Sequence, residues 1–328
     1  MRERKLRSKA QILSGSYNPE FAGHVAEHVG LSLGDVKLTR FANTEIKAEV
    51  PTVRGDHVFV IQSHGAPVNE TLMEQVAIVN AARRASARDV TAVMPYRGYG
   101  RADRPDNSHE SYMGPIAMRL LEAAGANRII EVDPHAGQSA GFLQSVTTEY
   151  TAIPSYPAIQ EYIQQEILDP YGDNNVVVVS PDSGRAKLNR RYANHFNLPR
   201  AIVDKIRTGA NTAEVSEIVG VVEDKRCVVI DDMVDTAGTL VQGARALMDH
   251  GAREVNFLAT HGVLSHPAIE RLARARDEGV LARIAVTDTL RLPADTPAGL
   301  IDVITVAPLV GDAMQKVFHE ESVSGMFR

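Results

Sequence analysis

The sequence is short of several things, and each shortage excludes something. Its 328 residues include one cysteine, Cys227. No disulfide can therefore form within the chain, and a reducing compartment is the natural setting. No apolar run approaches the ~20 residues needed to cross a bilayer. The basic opening MRERKLRSKA gives way to QILSGSYNPE without the apolar stretch of a secretory leader. A cytoplasmic protein with no membrane partner is expected. Positive charge is not in excess either. The formal net charge of −6 argues against a general coat on nucleic acid and leaves room only for a local basic patch. No long linker or low-complexity tract interrupts the chain.

What remains is an ordinary globular composition, with 44% hydrophobic and 23% charged residues. The length suits roughly two domains, each able to bury a core without staples. Short apolar runs read as buried parallel strands: HVFVIQS (57–63), DVTAVMP (89–95), RIIEV (128–132), NVVVVS (175–180), CVVI (227–230) and EVNFLAT (254–260). Amphipathic segments lie between many of them. One places Leu72, Val76, Val79 and Ala82 on a face, and another Leu240, Ala244, Leu247 and Met248, with Gly251 as a stop. Alternating strand and helix imply an α/β chain with parallel sheets. A weak internal repeat sets HVFVIQSHGAPVNET–helix–ARDVTAVMPY against CVVIDDMVDTAGT–helix–AREVNFLATH. Gln62 and Ser63 stand in the first copy where acids stand in the second. YTAIPSYPAIQEY (150–162), with two prolines, is the boundary candidate, unless those prolines only start a helix.

The second copy carries the chemistry. In open α/β sheets, ligands sit beyond the carboxyl ends of strands. Asp231 and Asp232 are expected at such an end, after the buried VVI. Asp235, Thr236, Ala237, Gly238 and Thr239 then lead into a helix, whose first N–H groups point outward at the positive end of the dipole. Gly238 permits close approach of the backbone, and Thr236 and Thr239 add hydroxyl donors. That mouth suits a phosphate monoester. The two acids suit sugar hydroxyls, or a Mg²⁺ that keeps most of its waters. Phosphate below and diol above describe ribose 5-phosphate. Asp133 and His135 (in VDPHAGQ) and Asp182 (in VSPDSG) also follow strands, although a Pro-Asp pair often only starts a turn. His24 and His28 show i,i+4 spacing on an early helix and are not expected to bind metal.

VVIDDMVDTAGT resembles the phosphoribosyl-diphosphate signature of type I phosphoribosyltransferase folds, in the form found in the ribose-phosphate diphosphokinase (PRPP synthetase) family. LSGSYNPEFA, IQSHGAPVNE, MPYRGYGRADR, VDPHAGQ, VSPDSG, IVDKIR, ATHGVLS and SVSGMF follow in that family's order along nearly the whole chain. The resemblance implies two type I phosphoribosyltransferase-like domains, each with a central parallel sheet flanked by helices. They would span 1–155, completed by 309–328, and 156–308, which carries the ribose-5-phosphate loop. It implies Mg²⁺-dependent transfer of the diphosphoryl group of ATP to the 1-hydroxyl of ribose 5-phosphate, for nucleotide biosynthesis. It implies a homo-oligomer of the hexamer-of-dimers type.

Residue by residue, the resemblance makes His135 a ligand of the Mg²⁺ on ATP and Asp182 a second magnesium-associated acid. Lys205 and Arg207 fall on its flexible catalytic loop, where they would spread the developing phosphoryl charge. Phe41, Asn43, Glu45, Arg101 and Asp103 fall in its ATP-binding stretches, the first of which reaches a neighbouring subunit. The departures are local. Asn43 and Thr44 replace Asp-Gly, and Ala102 replaces Gln. Ser183 and Arg185 replace His and the second Gly after Asp182, which bears on metal or ribose at that edge. Asn107 and His109 take Arg positions of the regulatory phosphate segment. These departures raise two alternatives: a non-catalytic synthetase-like regulatory subunit, or a diphosphokinase for a larger 5-phosphoribosyl acceptor.

Overall fold

A computed structural model describes residues 9–105, 108–171, 175–209 and 212–327, excluding the side chains of 171 and 204–216. Among these residues the chain forms two compact units, Met1–Pro154 with Val306–Arg328, and Ser155–Thr305. Pro154 closes the first stretch of one unit. Pro157 lies in the first turn of the helix Tyr156–Ile163 that opens the other.

The first unit contains β1 (Ala10–Ser14), β2 (Lys37–Arg40), β3 (Ile46–Glu49), β4 (His57–Ile61), β5 (Asp89–Met94), β6 (Arg128–Val132) and β7 (Glu149–Ile153). Its main sheet has the order β1-β4-β5-β6-β7 and is parallel throughout. All five residues of β4 are buried, because helices cover both faces of a parallel sheet and leave no side for polar alternation. The helix Val68–Arg84 joins β4 to β5 and buries Leu72, Ile78, Val79 and Ala82. Val76 is only half-buried against the same core. The helix Ala307–Phe318 packs on the helix Pro19–His28 at Gly311. A Cβ on Gly311 would stand 2.8 Å from the His28 ring, so glycine permits the approach. His28 pairs with Asp312 at 2.7 Å, and both His28 and His24 are exposed.

The second unit contains β8 (Val176–Ser180), β9 (Arg200–Gly209), β10 (Thr212–Val219), β11 (Arg226–Val234), β12 (Glu254–Gly262), β13 (Arg283–Thr287) and β14 (Asp302–Ile304). They are ordered β10-β9-β8-β11-β12-β13-β14. The sheet is parallel except at its edge, where β10 runs antiparallel to β9. Both copies of the sequence repeat fold as strand–helix–strand with the two strands adjacent and parallel.

Strand ends differ from the apolar runs. The first stops at Ile61 rather than 63, and the second at Met94 rather than 95. The fourth starts at Val176 rather than 175. The runs at 227–230 and 254–260 lengthen to Arg226–Val234 and Glu254–Gly262, because the two strands pair with each other through Val234↔Gly262. Asp231 and Asp232 therefore lie inside a strand, not beyond its end. A ladder to one neighbour holds polar residues in extended form although they break the apolar run.

Between β4 and β5, Gln75 Nε2 donates to the carbonyls of Val60 and Val93 at 3.0 and 3.1 Å. Its Oε1 is the acceptor left for His64 Nε2 at 2.7 Å, while the Gly98 N–H donates to His64 Nδ1 at 3.2 Å. His64 is thus the neutral Nε2–H tautomer. Burial pushes it down from 6.5 to about 4, with Arg97 adding to the effect and Gln75 opposing it. The unfolded chain takes this proton below pH 6.5 and the folded chain only near 4, so stability falls as pH drops between those values. The loss from His64 reaches about 3 kcal/mol at pH 4. Urea unfolding at pH 7 and pH 5 should show a smaller difference for His64→Gln than for the wild type.

Candidate active site

In the second unit the chain leaves β8 for β9 and β10 on one side. It then returns to β11 on the other side and continues outward. The gap between β8 and β11 is the switch point where open α/β sheets bind ligands. Pairing between the two strands ends at Val179↔Val229, while β12 follows β11 to Val234. Asp231 and Asp232 therefore stand past the reach of β8, laddered on one side only. Asn189, on the helix Ala186–Phe196, donates to the Ile230 carbonyl at 3.0 Å and takes over the pairing that β8 gives up.

The Asp182–Arg185 turn follows β8 into this gap. Asp182 Oδ1 accepts the Arg185 N–H at 3.0 Å and caps the short 3-10 turn Ser183–Arg185. The Arg185 guanidinium then reaches both acids, with Nε 3.4 Å from Asp231 Oδ1 and Nη2 on Asp232 Oδ2. Asp232 is buried and Asp231 half-buried, and the Asp232 N–H donates to Asp231 Oδ1 at 2.8 Å. Burial pushes the Asp231 carboxyl up, the adjacent Asp232 charge adds to this, and Arg185 pulls it back. Two carboxylates side by side and partly out of water attract a cation or hydrogen-bond donors.

Beyond Val234 the loop runs through Asp235, Thr236, Ala237, Gly238 and Thr239. Ala237 holds φ = 59°, in the left-handed region, and turns the chain into the helix Gly238–Asp249. No side chain caps that helix start. Its first N–H groups therefore have no side-chain acceptor from the cap position, the arrangement that receives an anion. Thr236 and Thr239 are exposed at this mouth. Arg271 Nη1 donates to the Thr236 carbonyl at 3.0 Å, and a Cβ on Gly238 would lie 3.1 Å from the same nitrogen. Glycine at 238 gives the guanidinium its place.

The first unit holds the other candidates. Phe41, Asn43 and Glu45 form the exposed tip of the β2–β3 hairpin, and Phe41 is 56% exposed. The tip closes through Phe41 N–H to the Glu45 carbonyl at 2.9 Å and Glu45 N–H to Asn43 Oδ1 at 3.3 Å. Arg101 is exposed and Asp103 buried, the latter accepting from Gln138 Nε2 at 2.8 Å. A Cβ on Gly100 would lie 3.9 Å from the His135 Cβ. The YGRADR and VDPHAGQ segments thus meet at the end of β6. Ser108, His109 and Glu110 are exposed, and Asn107 lies outside the described residues.

Lys205 and Arg207 lie on a paired β-arm, not a loop. Lys205 is opposite Val215 and Arg207 opposite Ala213. Their side chains lie outside the described residues. The β9–β10 ladder accounts for the difference: antiparallel pairing gives every second backbone group a partner and holds polar residues extended. Among the described residues no three His, Cys, Asp or Glu side chains gather as a metal cage. His135 lies in the first unit and Asp182 in the second.

Residues without an assigned role in the motif reading also shape these ends. Arg97 and Glu131 form an ion pair at 2.9 Å, with side chains 0% and 3% exposed. Ser139 and Tyr150 extend it, through Arg97 Nη2 to Ser139 at 3.0 Å and the Tyr150 hydroxyl to Glu131 at 2.9 Å. An acid inside the apolar run RIIEV was the available signal, since a buried charge requires a partner. Asn189 and Arg271 carried none, because each acts on a carbonyl distant in sequence.

Ala237 gives this site its test. A β-branched residue in the left-handed region costs about 1–3 kcal/mol. Ala237→Val should lower the unfolding free energy by that order, whereas Ala237→Gly should retain it. Chemical denaturation checks the pair.

The family model described as the N-terminal domain of ribose phosphate pyrophosphokinase matches residues 10–125, and the phosphoribosyl transferase domain matches residues 146–278. The ribose-phosphate pyrophosphokinase of Caldanaerobacter subterraneus subsp. tengcongensis is 42% identical, over 97% of this chain and 97% of its own. That of Oceanobacillus iheyensis is 39% identical over 98% of each. The crystal structure of phosphoribosylpyrophosphate synthetase from Mycobacterium smegmatis superposes with a TM-score of 0.86 at 34% identity, covering 95% of this chain and all of that one. With likeness of this degree running through both units, the chain belongs to the ribose-phosphate pyrophosphokinase family.

Proposed function

We propose that the gap between β8 and β11 holds ribose 5-phosphate while ATP is held by the hairpin tip and the strand-end segments of the first unit. The reaction follows from family membership. The diphosphoryl group of ATP passes to the 1-hydroxyl of ribose 5-phosphate, giving 5-phosphoribosyl 1-diphosphate and AMP. The observation that carries the site is the pair Asp231–Asp232 at a switch point, immediately before a helix mouth without a side-chain cap. The N–H groups of 236–239 take the 5-phosphate, and the two acids accept hydrogen bonds from the ribose diol. Lys205 and Arg207 neutralise charge on the group in transit, the main contribution a protein makes to phosphoryl transfer.

The carboxylate donors at this strand end are of the kind a hard cation takes. Asp182 offers a carboxylate in the turn that follows β8, and Mg²⁺ asks for few protein ligands because it keeps several waters. Asp182 would hold it there, and His135 enters as the ligand of the nucleotide-bound ion through the family resemblance. When bound, Mg²⁺ would neutralise the triphosphate and make the anomeric hydroxyl more acidic. Phe41 would stack on the base, Asn43, Glu45 and Asp103 would bond its edge or the sugar, and Arg101 would meet phosphate. A large apolar ring exposed at a hairpin tip supports contact with a neighbouring copy. We accordingly read the protein as a homo-oligomer of the hexamer-of-dimers type. No helix among the described residues is long and apolar enough to cross a membrane, which supports the reading of a cytoplasmic enzyme.

Product analysis tests the reaction. Purified protein with ATP, Mg²⁺ and ribose 5-phosphate should release AMP and a 1-diphosphorylated sugar, and chelation should stop it. ADP as product would instead indicate monophosphoryl transfer, and absence of turnover would favour the regulatory-subunit alternative. Lys205→Ala should lower kcat by about 10²–10³, as expected when one donor to developing charge is lost, and steady-state AMP release measures it.

A further inference from the structure

The Asp182–Arg185 turn ends in a side chain with an unusual position. Arg185 is three residues past Asp182, where the family resemblance expects glycine, and its backbone N–H is fixed by Asp182 Oδ1 at 3.0 Å. From that anchored stem the guanidinium spans Asp231 and Asp232 together, with its side chain only 22% exposed. Most surface ion pairs contribute little. This one differs because Asp232 is 8% exposed and because one cation serves two acids whose mutual repulsion it relieves. Its partners are also the carboxylates assigned above to the ribose diol. A diol can meet them only as a hydrogen-bond donor, which is what the guanidinium already is.

We propose that Arg185 determines the affinity of the site for its sugar: its guanidinium occupies the diol position in the sugar-free protein, and ribose 5-phosphate binds by displacing it. This rests on the sugar-phosphate reading of the β8–β11 gap. The 5-phosphate lands on the helix mouth at 236–239, which Arg185 does not touch in the ion pairs it makes. The ribose then competes for the acids. If the pair is closed about nine-tenths of the time, the apparent dissociation constant rises about tenfold over that of the open site. A glycine at 185 would impose no such threshold.

Titration calorimetry of the full chain, without ATP or Mg²⁺, tests this with two probes. Ribose 5-phosphate carries both phosphate and diol, while methyl phosphate carries only the former. Arg185→Gly should bind ribose 5-phosphate about tenfold more tightly than the wild type, with methyl phosphate affinity unchanged. Arg185→Met keeps the aliphatic stem without the charge and should show the same gain, which guards against a turn loosened by glycine. Equal affinity of wild type and both variants for ribose 5-phosphate would overturn the proposal and leave the sugar site standing. Weaker binding in the variants would also overturn it, making Arg185 a direct ligand of the sugar. A parallel change for both probes would assign Arg185 a purely structural role and equally overturn it. If neither wild type nor variants bind ribose 5-phosphate, the sugar-phosphate reading fails and the proposal falls with it.

Discussion

Two adjacent carboxylates, drawn half out of water at the end of one strand pairing, are the constraint around which the second unit is arranged. Asp231 and Asp232 would be untenable in the middle of a parallel sheet, where both neighbours cover a strand. They are tenable here because β8 stops pairing at Val229 while β12 continues. The opening left by β8 admits the Asp182–Arg185 turn, an arginine for the acids and Asn189 for the stranded Ile230 carbonyl. The two acids and the Ile230 carbonyl are thus answered from the segment that follows the stopped strand.

The same scaffold in the first unit shows the alternative. β4 and β5 are joined by a helix as β11 and β12 are, but Gln62 and Ser63 replace the acids, and both are buried. Gln62 Nε2 donates to Glu74 at 2.9 Å, and Gln75 and His64 tie the strand ends to one another. Amides and a neutral imidazole satisfy the buried backbone groups, and the acid they meet, Glu74, takes Arg40 as its counter-ion at 3.1 Å. The repeated element ends on buried amides and an imidazole in one unit and on a pair of acids past the reach of a neighbouring strand in the other. The difference comes from two side chains and from where a neighbouring strand stops.

Much of this was legible in the residues. The apolar runs named the central strands because a strand covered on both faces can hold little else, and the helical faces at 72–82 and 240–248 followed from their period. The acids, the loop 235–239 and the strand-end segments stood in an order that only a few architectures accommodate. Strand ends were not legible, because they depend on which neighbour continues. Asp231 sits in a strand on account of Ala259, and Lys205 in a β-arm opposite Val215. Glu131 signalled a buried partner, but its identity as Arg97 required the fold.

The sequence by itself determined the kind of chemistry: carboxylates before a glycine-containing helix start. Those are properties of residue type and spacing, and local backbone geometry enforces them. Only the tertiary structure decided what stands opposite those carboxylates. Arg185 lies 46 positions before Asp231 by their numbers in the chain; the residues around it mark it as a departure from the family's glycine but do not say which side chains it meets. Strand order brings the two together, because the chain leaves β8 in one direction and returns beside it from the other.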